Sequence, residues 1–322
     1  MTPSYDQAAS AVLVIRPKSF GFNQQTAKTN LFQNAADNEK DINRKAVNEF
    51  DNFVNLLRKY DVEVIVMEDR DHHITPDSIF PNNWFSTHHD GTVILYPMLA
   101  ENRRMEVRPE IFNLLSERYY YQFPVITDFT HPEKENIFLE GTGSLVFDHT
   151  NKVAYANISS RTHLALVEHV CRLLEYEPVT FYATLKTGDE IYHTNVLLTV
   201  ATGFAVICAE CITNGKGKTS VLEKLSSTGH EIIPITFEQM EKFAGNMLQV
   251  KNKNGELLTV MSQTAFDCLN EDQLETILKH NRILPVRVPT IEYVGGGSVR
   301  CMMAEIFLNK VDGPVPKLSE KS

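Results

Sequence analysis

The chain has 322 residues, 43% hydrophobic and 22% charged, with 31 basic against 41 acidic side chains and a formal net charge of −10. Such a chain can bury a sizeable core, and its acidity argues against nucleic acid or an anionic membrane surface as the main partner. Five cysteines at scattered spacings suit a reducing compartment better than a disulfide framework.

The first apolar run, residues 11–15, has no basic stretch before it and falls far short of the roughly 18 residues a spanning helix needs. A soluble, cytoplasmic protein is expected. "AVLVIRP" predicts a strand, and "DINRKAVNEFDNFVNLLRKYD" a helix with Ile42, Val47, Phe50, Phe53, Val54 and Leu57 on one face, followed at once by the strand "VEVIVME". "GTVILYPM" reads as a strand and "EVRPEIFNLLSERYY" as a helix, with "PVITDF" after it. Two strands around a turn follow in "GSLVFDHTNKVAYANI", then the helix "SRTHLALVEHVCRLLEY". The alternation returns with "VLLTVATGFAVICAECI" and "KTSVLEKLSSTG", and again with "GELLTVMSQTAFDCL" and "DQLETILKHN". About five units of strand pair plus helix fit the length. No linker-like stretch divides them, so one α/β domain over residues 1–322 is the reading.

Several motifs fail on inspection. "NGKGKTS" lacks the earlier glycine of a phosphate loop, because Ile212 stands there, and in "VGGGSVRC" Arg300 stands where a dinucleotide fingerprint needs its third glycine. Cys208 and Cys211 form one CxxC without a second pair or a histidine at zinc spacing. His72-His73 and His88-His89 are adjacent residues, which point apart in extended chain and do not chelate one ion together. What remains is a set of polar residues at strand ends: Glu140 in "IFLEGTGSLVFD", His193 and Asn195 in "EIYHTNVLLTV", and Cys301 after three glycines in "YVGGGSVRCMM". Taken singly, each has a structural explanation, since a free cysteine is usually a small buried hydrophobe.

"FPNNWFSTH", "FLEGTGS", "HTNV" and "GGGSVRCM", in that order, together with "VIRPKSFGFN" and "SSRTH", resemble the arginine deiminase and amidinotransferase (pentein) superfamily across nearly the whole chain. Within it the chain looks most like the citrulline-utilising hydrolases, or citrulline ureidases. The resemblance implies a five-bladed α/β propeller of ββαβ-type repeats around a pseudo-five-fold axis. It implies Cys301 as nucleophile, His193 as general acid/base and Glu140 as the carboxylate that holds the substrate's terminal nitrogens. Arg161, in "SSRTH", falls where deiminases bind the substrate α-carboxylate, and Arg300 either helps it or buttresses the loop.

Departures from the family pattern bear on the substrate. Deiminases of arginine carry aspartates where Asn83 and Asn195 stand here, and a third where "EGTGS" has Gly143. A guanidinium presents only donors and a positive charge, whereas the neutral ureido group of citrulline has a carbonyl that needs a donor, which asparagine supplies. The implied reaction is hydrolysis of citrulline to ornithine, carbon dioxide and ammonia through a carbamoyl thioester on Cys301. Alternatives are an arginine dihydrolase or deiminase, and a non-catalytic propeller like the ribosome-binding initiation factors of this fold. No cofactor or metal is expected. The expected partner is a small molecule, citrulline or an arginine derivative, with no nucleic acid and no membrane, and association into a homo-oligomer stays open.

Overall fold

The computed structural model describes residues 5–36 and 39–311, with the side chains of residues 39 and 40 left aside. The two ends of the expected 1–322 domain lie outside the described residues. The helix Glu39–Lys59 forms because Ile42, Ala46, Phe50, Phe53, Val54 and Leu57 recur at helical spacing and are all buried. Val47, expected on that face, is only half-buried, and Ala46 takes its place. The chain leaves the helix at Asp61, whose φ is 59°, and enters the strand Glu63–Glu68.

Five three-stranded sheets share one pattern. In each, a first strand pairs antiparallel with a middle strand, and the middle strand pairs parallel with a third. At least one helix lies in the chain between the middle and third strands, as a parallel crossover requires. Four units follow the chain, with first strands Phe85–Thr87, Leu145–Asp148, Leu198–Ala201 and Leu248–Lys251. The fifth is closed across the termini: Ala304–Ile306 pairs with Ala11–Arg16, which pairs with Glu63–Glu68. That closure was beyond the sequence reading, which could not see a strand from one end completing a unit at the other. The first strands are neighbours, with Ala304–Ile306 against Phe85–Thr87, Leu145–Asp148 against Leu198–Ala201, and Leu198–Ala201 against Leu248–Lys251.

The helices fall in the expected units with their ends shifted. The segment read as a helix over residues 160–176 is helical over Leu164–Leu174, because Ser159–Thr162 turns on its own hydrogen bonds. The helix expected from residue 218 begins earlier, at Gly215. No helix among the described residues is long and apolar enough to cross a membrane.

Candidate active site

The segment just before each first strand carries a polar side chain toward one place. Asn83 closes the turn Pro81–Asn83 ahead of Phe85. Glu140 precedes the short helical turn Gly141–Ser144, and His193 precedes the turn Thr194–Val196, which contains Asn195. Asn246 stands two residues ahead of Leu248, and Cys301 three ahead of Ala304. All are buried. Gly141 makes one of these approaches possible: its φ is +46°, and a Cβ there would meet Asn82 O at 2.3 Å.

Asn83, Arg161, His193 and Cys301 line one cavity with Asn30, Asp77, Phe80, Arg103, Tyr192 and Gly295–Gly297. The cavity is nearly shut, about 20 Å³, space for a water molecule. Glu140 stands behind the wall. Its Oε2 accepts from His193 Nε2 at 2.8 Å and from Arg161 Nη1 at 3.3 Å, and its Oε1 accepts from the Leu99 N–H at 3.0 Å. Three of the roughly four acceptor positions of the carboxylate are therefore used within the protein.

Burial alone would raise the Glu140 carboxyl, but the Arg161 charge, the His193 hydrogen bond and the more distant Arg103 together hold it well below the usual range. Burial pushes the His193 imidazole down to about 4, against the opposing pull of Glu140. Since the ionised Glu140 only accepts, His193 Nε2 carries the hydrogen, and a neutral ring presents Nδ1 as an acceptor. Nδ1 faces Gly143, where a Cβ would come within 2.7 Å of it and within 2.4 Å of Asn83 Nδ2. Glycine at 143 thus lets the His193 ring and the Asn83 amide approach each other.

Arg161 is engaged on several sides. Its Nη2 donates to Thr26 O and Thr29 Oγ1, its Nε to Thr29 Oγ1, and its guanidinium lies over the Tyr192 ring at 4.7 Å. Arg300 is turned to other work: Nη2 donates to Glu305 Oε2 at 3.1 Å and Nη1 to Met303 O at 3.3 Å, and it is not among the cavity-lining residues. Both contacts tie the Arg300 side chain to residues that follow it in its own segment. Asn195 Nδ2 reaches Cys301 Sγ at 3.5 Å, while its Oδ1 is buried without a partner. His88 pairs with Ser86 Oγ and His89 stacks on Tyr5, while both rings lie against His149, at 6.4 and 5.7 Å.

Three residues of the site went unread in the sequence. Asp77 lines the cavity, with Oδ2 accepting from Asn23 and Thr26 and Oδ1 unpartnered. Arg103 binds Glu106 through Nε and Nη2 and donates from Nη1 to Asn83 Oδ1 at 2.8 Å. Asn246 Nδ2 lies 3.3 Å from Cys301 Sγ. "GNMLQV" repeats the Asn-then-apolar-strand pattern of "TNVLLTV", and that repetition was the available signal for Asn246. Arg103 gave none, since "ENRRMEV" reads as a solvated helix.

The family model described as "N,N dimethylarginine dimethylhydrolase, eukaryotic" matches residues 16–308. The chain belongs to this family. Like the solved enzymes compared below, it is a member of the pentein superfamily. The cyanobacterial arginine dihydrolase ArgZ of the ornithine-ammonia cycle superimposes with a TM-score of 0.72 at 14% identity, over 96% of this chain and 42% of that one. This chain therefore spans less than half of that enzyme. The substrate-bound N-terminal domain of ArgZ gives 0.69 at 15% identity, over 92% of this chain and 97% of that one. The dimethylarginine dimethylhydrolase (DDAH) of Pseudomonas aeruginosa, solved with citrulline, gives 0.64 at 15% identity, over 93% and 100%. At these identities the likeness is one of fold, a mixed α/β fold similar to pentein enzymes. No curated protein matches the sequence.

Proposed function

We propose that the chain is a hydrolase of the ureido group of citrulline, folded as one domain whose five sheets close into a propeller about this cavity. The observation that carries the reading is the Arg103–Asn83 hydrogen bond. Because Arg103 Nη1 takes Asn83 Oδ1, the amide is held with Nδ2 as a buried donor without a partner. A ureido carbonyl oxygen satisfies such a donor, and a guanidinium has no acceptor to offer it. The ureido nitrogens are donors, for which Asn195 Oδ1 and the remaining acceptor position of Glu140 are suited.

At the other end of the substrate, Asp77 Oδ1 suits an α-ammonium and Arg161 an α-carboxylate. The carboxylate would replace Thr29 on the Arg161 fork, which requires the segment around Asn30 to shift as the nearly shut cavity fills. In the reaction, the Cys301 thiolate attacks the ureido carbon and the C–N bond to the δ-nitrogen breaks. His193, protonated at Nδ1 by the thiol proton, passes that proton to the leaving nitrogen of ornithine. Water, deprotonated by the same nitrogen, then attacks the carbamoyl thioester, regenerates the thiol and releases carbamate, which decomposes to carbon dioxide and ammonia.

A second reading, hydrolysis of a guanidino group as in a dihydrolase or dimethylarginine hydrolase, draws support from the matching family model and from the unpartnered Asp77 Oδ1 as an acceptor for a cation. One assay separates them. Purified protein is incubated with L-citrulline, L-arginine or dimethylarginine, and ornithine, citrulline and ammonia are measured. Ornithine from citrulline and none from arginine is the expected result. Turnover of a guanidino substrate with none of citrulline would overturn the first reading, and no turnover of any would overturn both.

A further inference from the structure

Two side-chain amides from different units bracket the Cys301 sulfur. Asn246 presents both ends of its amide to it, Nδ2 at 3.3 Å and Oδ1 at 3.6 Å, and Asn195 presents Nδ2 at 3.5 Å. Asn246 Nδ2 also donates to Asn195 O at 3.0 Å, so one amide joins the sulfur to the turn that begins after His193. The backbone beside it is built for this approach. A Cβ on Gly245 would meet Val196 O at 2.3 Å and Leu197 backbone atoms at 3.0 Å, so glycine lets the strand entry lie directly on that turn.

We propose that Asn246 is a catalytic residue whose amide holds the Cys301 sulfur in both protonation states, the carbonyl receiving the thiol S–H and the N–H₂ stabilising the thiolate. The proposal rests on the reading of Cys301 as nucleophile. A thiol is a weak donor and a thiolate an acceptor, so a group with one face of each kind fits the sulfur before and after the proton leaves. The thiolate gains the more, because Asn246 and Asn195 both donate to it whereas Asn246 Oδ1 is the acceptor in contact with the thiol. Neither amide carries charge, so this stabilisation costs no buried ion when the sulfur is neutral or bonded to carbon. A carboxylate at position 246 would do the reverse, favouring the thiol and repelling the thiolate.

The test needs no substrate. Iodoacetamide replaces the thiolate's charge with a C–S bond and releases iodide, so its rate at each pH reports the thiolate fraction. Carboxamidomethylation of the Cys301 peptide is followed by mass spectrometry in the full chain, which separates Cys301 from the other four thiols. Asn246→Asp should move the inflection of the rate profile upward by about one pH unit or more, and Asn246→Ala and Asn195→Ala should move it upward by less. A purely structural role would alter accessibility, scaling the rate at every pH and leaving the inflection in place. Superimposed inflections for wild type and Asn246→Asp would overturn the proposal; if that variant does not fold, unchanged inflections in Asn246→Ala and Asn195→Ala do the same. A shifted inflection in a protein that does not turn over citrulline would leave this proposal standing while the substrate reading fails.

Discussion

The two ends of the cavity solve the problem of buried polarity in opposite ways. At one end Asp77, Arg103, Glu106, Glu140 and Arg161 are all buried with charges interlocked, Arg103 with Glu106 at 2.9 Å and Arg161 with Glu140 at 3.3 Å. Around Cys301 the polar groups are neutral: Asn195 and Asn246 touch the sulfur, and Asn83 turns a free N–H₂ group into the cavity. A buried charge is tolerated where its partner is permanent. At the sulfur, charge exists only during part of a reaction, and an amide can face both states. The contrast suits a ligand charged at one end and uncharged at the other.

The largest expected effect comes from breaking the neutral end at its centre. Cys301→Ser should lower citrulline kcat/KM by about four orders of magnitude or more, with a melting temperature near that of wild type, because none of the interlocked charges touches the sulfur. Retained turnover in the serine variant would remove Cys301 from the chemistry. Breaking the charged end should instead cost stability. Arg161→Ala leaves Glu140 buried without its strongest opposing charge, and a urea titration should show a loss of about 3–5 kcal/mol. Arg161→Lys should recover only part of it, since an ammonium cannot reproduce the fork that reaches both Thr29 and Glu140. An unchanged urea midpoint in Arg161→Ala would mean that the charged end is not held together by this pair.

Asn83 sits on the boundary, its carbonyl in the charged network and its N–H₂ in the neutral one. Asn83→Asp keeps the shape and strengthens the contact to Arg103, but it turns the donor facing the cavity into an acceptor. Citrulline kcat/KM should fall about 10²-fold or more, with the melting temperature little changed and the ratio of arginine to citrulline turnover raised. Equal kcat/KM in the two proteins would mean that Asn83 Nδ2 does not meet the substrate.

How much of this was legible in the sequence follows the same division. Asn83, Glu140, His193, Asn195 and Cys301 stand in short polar breaks before apolar strands, and such breaks can be read without knowing what they face. Asp77 and Arg103 could not be read, because the partners that keep them buried, Asn23, Thr26 and Glu106, have no local pattern that separates them from surface polar residues. Glu140 was found as a pocket carboxylate, but the contacts that already fill three of its acceptor positions, from His193, Arg161 and Leu99, were not visible in the sequence. The strand–helix–strand order was visible from hydrophobic period alone. The unit made by Ala304–Ile306 and Ala11–Arg16 was not, since pairing across almost the whole chain leaves no local trace.

The smallest effect concerns pH and tests whether neutrality near the sulfur extends to the imidazole. Burial holds His193 down to about 4, and it does the same to His88, which lies away from the cavity against Ser86 and Phe147. Both rings are then neutral when folded but take up protons near pH 6.5 when unfolded. The unfolded state binds more protons between these values, so stability is fully present above about pH 6.5 and is lost as pH falls toward 4. Between pH 7 and pH 5 each ring should contribute a loss of about 2 kcal/mol, read as a falling urea midpoint. His88→Gln should remove its share of that slope and leave citrulline turnover unchanged, because His88 touches no group at the site. His193→Gln should likewise remove a share of the slope; a slope equal to that of wild type there would mean that the His193–Glu140 pair is charged at rest, since His149, pushed down by burial, and Glu106, pushed up to about 8, contribute alike to both proteins. The proton for the leaving nitrogen would then be on the imidazole before the substrate arrives, rather than being taken from the Cys301 thiol.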